Sequence, residues 1–255
     1  MRLFLGLPSA GSPAPPFLES LARLRLPAGC TDVERYVVTG NFIPGQRELI
    51  ATEALQRGYD VIVMIDDDIV VAADALEQLT GVLAQEPRTA VAGALYYSRD
   101  GLRPMAVADW DSRDTTAAVI PAFTDAPVTV EGVGFGCVAI RAAALAALDR
   151  PLFSAHIVIE RLVRRVRIAD EDYVLCERLR GAGFEIRLHA GVRCGHYDRQ
   201  SGVVYPRAWE DPAATAVRRM YVRTPDGETL VPAQDEIPRA REEHQRVSFD
   251  YVSIE

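Results

Sequence analysis

Short apolar blocks punctuated by Gly or Pro run along most of this chain, and their spacing predicts its elements. "RLFLGLP" reads as a first strand stopped by Pro8, with "SAGSPAPP" as the loop after it. "RYVVTG", Arg35 to Gly40, is a second strand of β-forming residues that ends at a glycine. "GQRELIATEALQRG" has helical composition and closes on Gly58, a residue suited to the position after a helix. "DVIVMID" is a continuous apolar run of strand length, the pattern of a central parallel strand covered on both faces. Ala72, Leu76, Leu79 and Leu83 then recur at helical spacing, with Glu77 and Gln78 turned away, and "TAVAGALYYS" is again strand-like. This alternation predicts a three-layer α/β sandwich around a mostly parallel central sheet, with right-handed crossovers.

From Arg99 to about Pro127 the sequence is irregular and polar. "PVTVEGVGFGCVAIRAAALAAL" follows as strand, glycine-broken turn, strand and helix, and "ADEDYVLCERLRGAGFEIRL" as an acid-headed helix and a strand. After His196 the pattern changes. "MYVRTPDGETLVP" reads as a hairpin around Asp226-Gly227, and the last twenty residues are charged. The expected organisation is a main domain over 1–197 and a C-terminal extension over 198–255 that packs on it. No internal repeat is visible.

Composition narrows the partners. Of 255 residues 49% are hydrophobic, enough for a real core, and the net charge of −8 argues against nucleic acid as a partner. All 28 basic residues are Arg, which excludes lysine Schiff-base chemistry and a P-loop lysine. No segment reaches the roughly 18 apolar residues of a membrane helix, and the N-terminal apolar stretch is shorter than a secretory signal. Cys30, Cys137, Cys176 and Cys194 are widely spaced with no CxxC pattern, so a reduced, cytoplasmic setting is expected, with most cysteines filling core.

The chemistry concentrates in "VIVMIDDDIVV". Asp is poorly suited to strands and neighbouring carboxylates repel, so three aspartates at the end of a buried strand call for a positive partner. Ligands of open parallel sheets sit at the carboxyl ends of the strands, where Asp66, Asp67 and Asp68 fall. In an extended segment Asp66 and Asp68 would project to one side and Asp67 to the other, and hard oxygens so placed suit Mg²⁺ or Mn²⁺. The bland alternative is a solvated loop leading into an acidic helix start.

"VIVMIDDDIV" resembles the DXD motif of GT-A glycosyltransferases, family 2-like members in particular. "GQRELIATEALQRGYD" is similar to the helix before their DXD strand, and "EGVGFGCVAIRAAAL" to their glycine-rich acceptor-side segment. "DEDYVLCERLRGAGFEIRL" resembles their "ED…L…R…G" helix, and "VRCGHY" the strand-end His of the metal site. The likeness spans about residues 2 to 197. It implies a GT-A fold and a transferase that moves a sugar from a nucleotide-sugar donor to a hydroxyl acceptor, a saccharide or a small molecule. By the same resemblance, Asp66, Asp68 and His196 hold Mn²⁺ or Mg²⁺, Asp66 with Asp67 faces the donor, and Asp172, with Glu171 beside it, supplies the catalytic base. An assignable base leans the outcome toward inversion, and self-association into a homodimer is compatible with the reading.

Other candidates follow from position. Pro8 and Ser9, at the end of the first strand, would border the nucleobase pocket of this fold, and Arg47 would reach the diphosphate. Gly134, inside "GVGFG", marks a bend that lets backbone approach the donor, or a bulge. Glu131 would contact the donor sugar, and Arg218 with Arg219 would fold over the diphosphate or form a solvated face. Asp170 would cap its helix, whose N-terminus would lower the pKa of Asp172. His189 lies in an apparent strand and carries no role. An Mg²⁺-dependent nucleotidyltransferase is the rival enzyme, but "PSAGSPAPP" lacks that class's basic loop. A catalytically silent nucleotide-sugar-binding protein is the rival outside enzymes, and the DxDxDG spacing of a calcium loop is missing.

Overall fold

The structure is a computed structural model that describes residues 1–112, 116–118, 124–160, 165–206, 222–223 and 229–230. The first part runs β1 (Arg2–Ser9), α1 (Pro15–Ala22), β2 (Asp32–Thr39), α2 (Ile43–Gln56), β3 (Val61–Ile65), β4 (Ile69–Val70), α3 (Ala75–Gln85) and β5 (Thr89–Leu95). Shorter strands follow: β6 (Ala106–Val107), β7 (Asp109–Asp111), β8 (Thr116–Ala118), β9 (Pro127–Val130), β10 (Gly132–Val133) and β11 (Cys137–Arg141). Then come α4 (Ala142–Ala146), β12 (His156–Glu160), β13 (Arg165–Ala169), α5 (Glu171–Gly181), β14 (Glu185–Arg193), β15 (Gly195–Asp198), β16 (Val203–Tyr205), β17 (Val222–Arg223) and β18 (Thr229–Leu230).

Seven strands form the central sheet in the order β2-β1-β3-β11-β5-β14-β9. β2, β1 and β3 are parallel, as are β5 and β14, while β11 and β9 run against their neighbours. Strand alternation sends each strand's side chains to two opposite cores. Phe4, Ile62, Met64, Val91, Val138 and Ile140 join Ile50 and Ala54 of α2 and Leu175 and Leu179 of α5. Leu3, Leu5, Val61, Val63, Ile65 and Ala139 join Phe17 and Leu21 of α1 and Leu76, Leu79 and Leu83 of α3. This is the expected three-layer arrangement. Gly6 lets α2 lie close on the sheet, since a Cβ there would stand 2.2 Å from Ile50 Cγ2.

β1 continues through Pro8 to Ser9 rather than stopping at the proline. Its pairing with β3 ends at Gly6, so Pro8 has no strand on that side to which an N–H would be owed. α1 was not expected from "SAGSPAPP"; Pro15 and Pro16 open it, and Phe17 and Leu21 supply its buried face. A small sheet of β16, β15 and β4 crosses residue 198 and sets His196 opposite Ile69, directly beyond the acidic triplet. β17 and β18 pair antiparallel around the expected hairpin, whose turn residues, like Arg218 and Arg219, lie outside the described residues.

Candidate active site

The triplet is a tight turn, not an extended segment. The Ile69 N–H donates to the Asp66 carbonyl at 3.1 Å, closing a four-residue turn between β3 and β4. Its backbone is tied on other sides as well: Asp66 N–H to the Gly136 carbonyl, Ala14 N–H to the Asp67 carbonyl, and Tyr197 N–H to the Asp68 carbonyl. A turn fans successive side chains apart, so the three carboxylates meet three different arginines. Arg47 Nη2 lies 3.0 Å from both oxygens of Asp66. Arg199 Nη2 donates to Asp67 Oδ1 at 2.8 Å, while Asp67 Oδ2 accepts from the Ser9 hydroxyl at 2.6 Å and from the Ala10 N–H at 3.2 Å. Arg99 donates to Asp68 Oδ2 through Nη2 at 2.7 Å and Nε at 3.2 Å.

His196 reaches the same oxygen. Its Nε2 lies 3.5 Å from Asp68 Oδ2, and its Nδ1 lies 2.8 Å from the Tyr97 carbonyl. A carbonyl can only accept, so Nδ1 carries a proton, and this bond turns Nε2 toward Asp68. Burial raises the Asp68 carboxyl, but His196 and Arg99 outweigh it and hold the group down to about 2. Burial pushes Asp66 the other way, above its ordinary value, in spite of Arg47.

α2 and α5 supply the second acidic group. Arg47 is buried and bridges Asp66 to Glu171, which it meets through Nη1, with its guanidinium 5.7 Å from the centre of the Phe135 ring. Burial alone would lower its pKa; Asp66, Glu171 and Asp172 raise it, so it stays a cation. Asp172 is also buried, and its oxygens accept from the Phe135 N–H at 3.3 Å and the Tyr173 N–H at 2.8 Å. The sequence suggested a lowered pKa at this helix start. The structure reverses that: burial first, then the charge of Glu171, drives Asp172 up to about 8. Asp170 occupies the capping position without a side-chain capping bond.

Of the expected site residues, the structure therefore gathers Ser9, Arg47, Asp66, Asp67, Asp68, Glu171, Asp172 and His196 at one end of the sheet, with Pro8 buried beside Ser9. It does not assemble Asp66, Asp68 and His196 as one ligand set. Among the described residues no three His, Cys, Asp or Glu side chains are grouped to hold a metal ion. Gly134 and Gly136 lie against Tyr96: a Cβ at Gly134 would stand 2.3 Å from its hydroxyl, which accepts from the Gly136 N–H at 3.0 Å. Glu131 accepts from the Trp110 N–H and pairs with Arg180. The sequence reading missed Arg99 and Arg199, and the spare positive charge demanded by three adjacent aspartates was the signal available for them.

The Asp68 and His196 pair fits a divalent ion chemically. One carboxylate oxygen and one imidazole nitrogen would give a mixed donor set of the kind Mn²⁺ accepts.

No family model matches the chain, and no curated protein matches it. Solved structures do. Protein A197 from STIV is 17% identical with a TM-score of 0.57, over 94% of this chain and 97% of that one. GalNAc-T7, solved with UDP, GalNAc and Mn²⁺, is 12% identical with a TM-score of 0.52, over 77% of this chain and 44% of that one. The chain thus corresponds to under half the length of GalNAc-T7. At such identities the likeness is one of fold: this chain has a GT-A-like α/β fold.

Proposed function

We propose that the chain is a glycosyltransferase that moves a sugar from a nucleotide-sugar donor to a hydroxyl acceptor, with Mn²⁺ or Mg²⁺ bound by Asp68 and His196. One observation carries the reading: the Asp68 and His196 pair, its ring oriented by the Tyr97 carbonyl, shares one sheet end with the buried Asp172. The ion would neutralise the diphosphate as the glycosidic bond breaks.

The chain's own groups have separable tasks in this reading. Ser9 and Ala10 hold Asp67 and with Pro8 form the rim where the nucleobase would rest. Arg47 ties Asp66 to Glu171 and so fixes the distance between the acidic turn and α5; its guanidinium is committed to carboxylates, and Glu171 acts as a positioning residue. Asp172, once ionised, takes the proton of the acceptor hydroxyl, which supports inversion. Its two backbone N–H donors, from Phe135 and Tyr173, orient the carboxylate. Cys137, Cys176 and Cys194 are buried as core residues, with the thiols of Cys137 and Cys194 in contact, and a cytoplasmic setting remains part of the proposal. No helix among the described residues is long and apolar enough to cross a membrane.

The test is thermal-shift titration of UDP, GDP, CDP and dTDP with and without Mn²⁺. Stabilisation grows by about 1.4 kcal/mol for each tenfold excess of ligand over its Kd, so a donor site is visible by this method. Stabilisation by one nucleotide, only with metal, is the expected result and names the base. No response to any of the four would remove the transferase reading. Stabilisation without turnover on any acceptor would favour a silent binding protein.

A further inference from the structure

The three arginines that answer the aspartates are held very differently. Arg47 is buried between two carboxylates, and Arg199 spans Asp67 and the Ser12 carbonyl. Arg99 holds Asp68 from the solvent side: its side chain is 62% exposed, whereas that of Asp68 is 4% exposed. An exposed guanidinium is easily drawn away, but a buried carboxylate cannot be left without a cation at small cost.

The contact also falls on a particular atom. Both Arg99 bonds end on Asp68 Oδ2, the oxygen that faces His196 Nε2. A divalent ion and the Arg99 guanidinium would therefore compete for one oxygen. The backbone around Arg99 is braced, so the side chain can swing without the loop. Ser98 N–H donates to the Arg103 carbonyl at 2.8 Å, Gly101 N–H to the Ser98 carbonyl at 2.7 Å, and Arg103 N–H to the Ser98 hydroxyl at 3.1 Å. Gly101 makes that turn with φ of 71°, in the left-handed region.

We propose that Arg99 is a placeholder cation: its guanidinium neutralises Asp68 while no divalent ion is bound, and passes to the donor's diphosphate oxygens when the ion takes Asp68 Oδ2. The inference rests on the metal and nucleotide reading above. A guanidinium suits both duties, because its planar fork matches carboxylate and phosphate oxygens alike.

Free Mn²⁺ measured by EPR at pH 7.5 tests it in the wild-type chain, Arg99→Ala, Arg99→Lys and Asp68→Asn. Arg99→Ala is expected to bind Mn²⁺ alone about fivefold more tightly than wild type, the loss of one competing ion pair. With Mn²⁺ saturating, the same variant binds the nucleoside diphosphate of the four above about tenfold more weakly, for want of a charged hydrogen bond. Arg99→Lys, which restores the charge, returns Mn²⁺ affinity toward wild type. Misfolding would weaken Mn²⁺ binding, so a gain cannot arise from damage. Unchanged or weaker Mn²⁺ binding in Arg99→Ala, with Asp68→Asn abolishing it, overturns the placeholder and leaves the metal reading standing. Absence of Mn²⁺ binding in both wild type and Arg99→Ala removes the metal reading itself, and the placeholder with it.

Discussion

The turn at Asp66–Asp68 and the start of α5 at Glu171–Asp172 are both short acidic runs at one end of the sheet, yet their surroundings differ in kind. The turn has three carboxylates and three arginines, one apiece. The helix start has two carboxylates, of which only Glu171 holds Arg47 directly, while Asp172 meets backbone N–H groups. Asp68 is consequently held down to about 2 and Asp172 driven up to about 8, although both are buried. Burial raises either group. At Asp68 the contacts of His196 and Arg99 outweigh it, whereas at Asp66 Arg47 does not, and among the described residues no cation touches the Asp172 carboxyl. Asp68 is thus built to keep its charge and Asp172 to take up and release a proton, a division suited to a charge-binding carboxylate and a proton-accepting one.

Removing the proton acceptor has the largest expected effect. Asp172→Asn keeps the shape and should retain the metal-dependent thermal shift while lowering kcat by about 10² to 10⁴, the range of general base catalysis. Retained turnover would remove Asp172 as base. The same variant sharpens the contrast through pH. A carboxyl whose folded pKa is raised from 3.8 to about 8 contributes stability that is whole below the ordinary value and is lost as pH rises through the folded one. Wild-type unfolding free energy should therefore fall between about pH 4 and pH 8, and Asp172→Asn should flatten that slope. Asp68 has the opposite sign: its contribution is present above pH 3.8 and is lost as pH falls toward 2. Turnover, which needs Asp172 ionised, should rise as pH rises through the same raised value.

Breaking the bridge between the two acidic runs comes next. Arg47→Met leaves Asp66 and Glu171 without their shared guanidinium in a buried setting, a change expected to cost about 3 to 5 kcal/mol in denaturant unfolding. A loss below about 1 kcal/mol would show that the carboxylates escape to water or take up protons, and that Arg47 does not set their spacing.

Much of this geometry was legible in the chain, because it follows from periodicity. The run "VIVMI" reads as a covered strand, and the helical spacing of Leu76, Leu79 and Leu83 marks the face that α3 buries. The position of the triplet at a strand end followed directly. What escaped was local closure. The Ile69 N–H to Asp66 carbonyl bond turns the chain within four residues, so the alternation that would bring Asp66 and Asp68 together does not apply. The raised pKa of Asp172 escaped for another reason: the helix start favours the carboxylate, but desolvation by packing from far along the chain, with the charge of Glu171, outweighs it. Arg99 and Arg199, 31 and 132 residues from their aspartates, are contacts that no window of sequence contains.

The smallest effect concerns the outermost pair. Arg199 is part-exposed, and Asp67 keeps two other donors, the Ser9 hydroxyl and the Ala10 N–H, when that guanidinium is gone. Arg199→Ala should thus cost no more than about 1 kcal/mol of unfolding free energy. It should also leave the Mn²⁺ affinity of the neighbouring Asp68 within about twofold, because the two aspartates diverge at the turn and share no partner. Urea unfolding and Mn²⁺ titration of this one variant read both quantities. A several-fold change in Mn²⁺ affinity would mean that the three aspartates act as one electrostatic unit. The one-to-one pairing that separates this turn from α5 would then be a matter of geometry and not of charge.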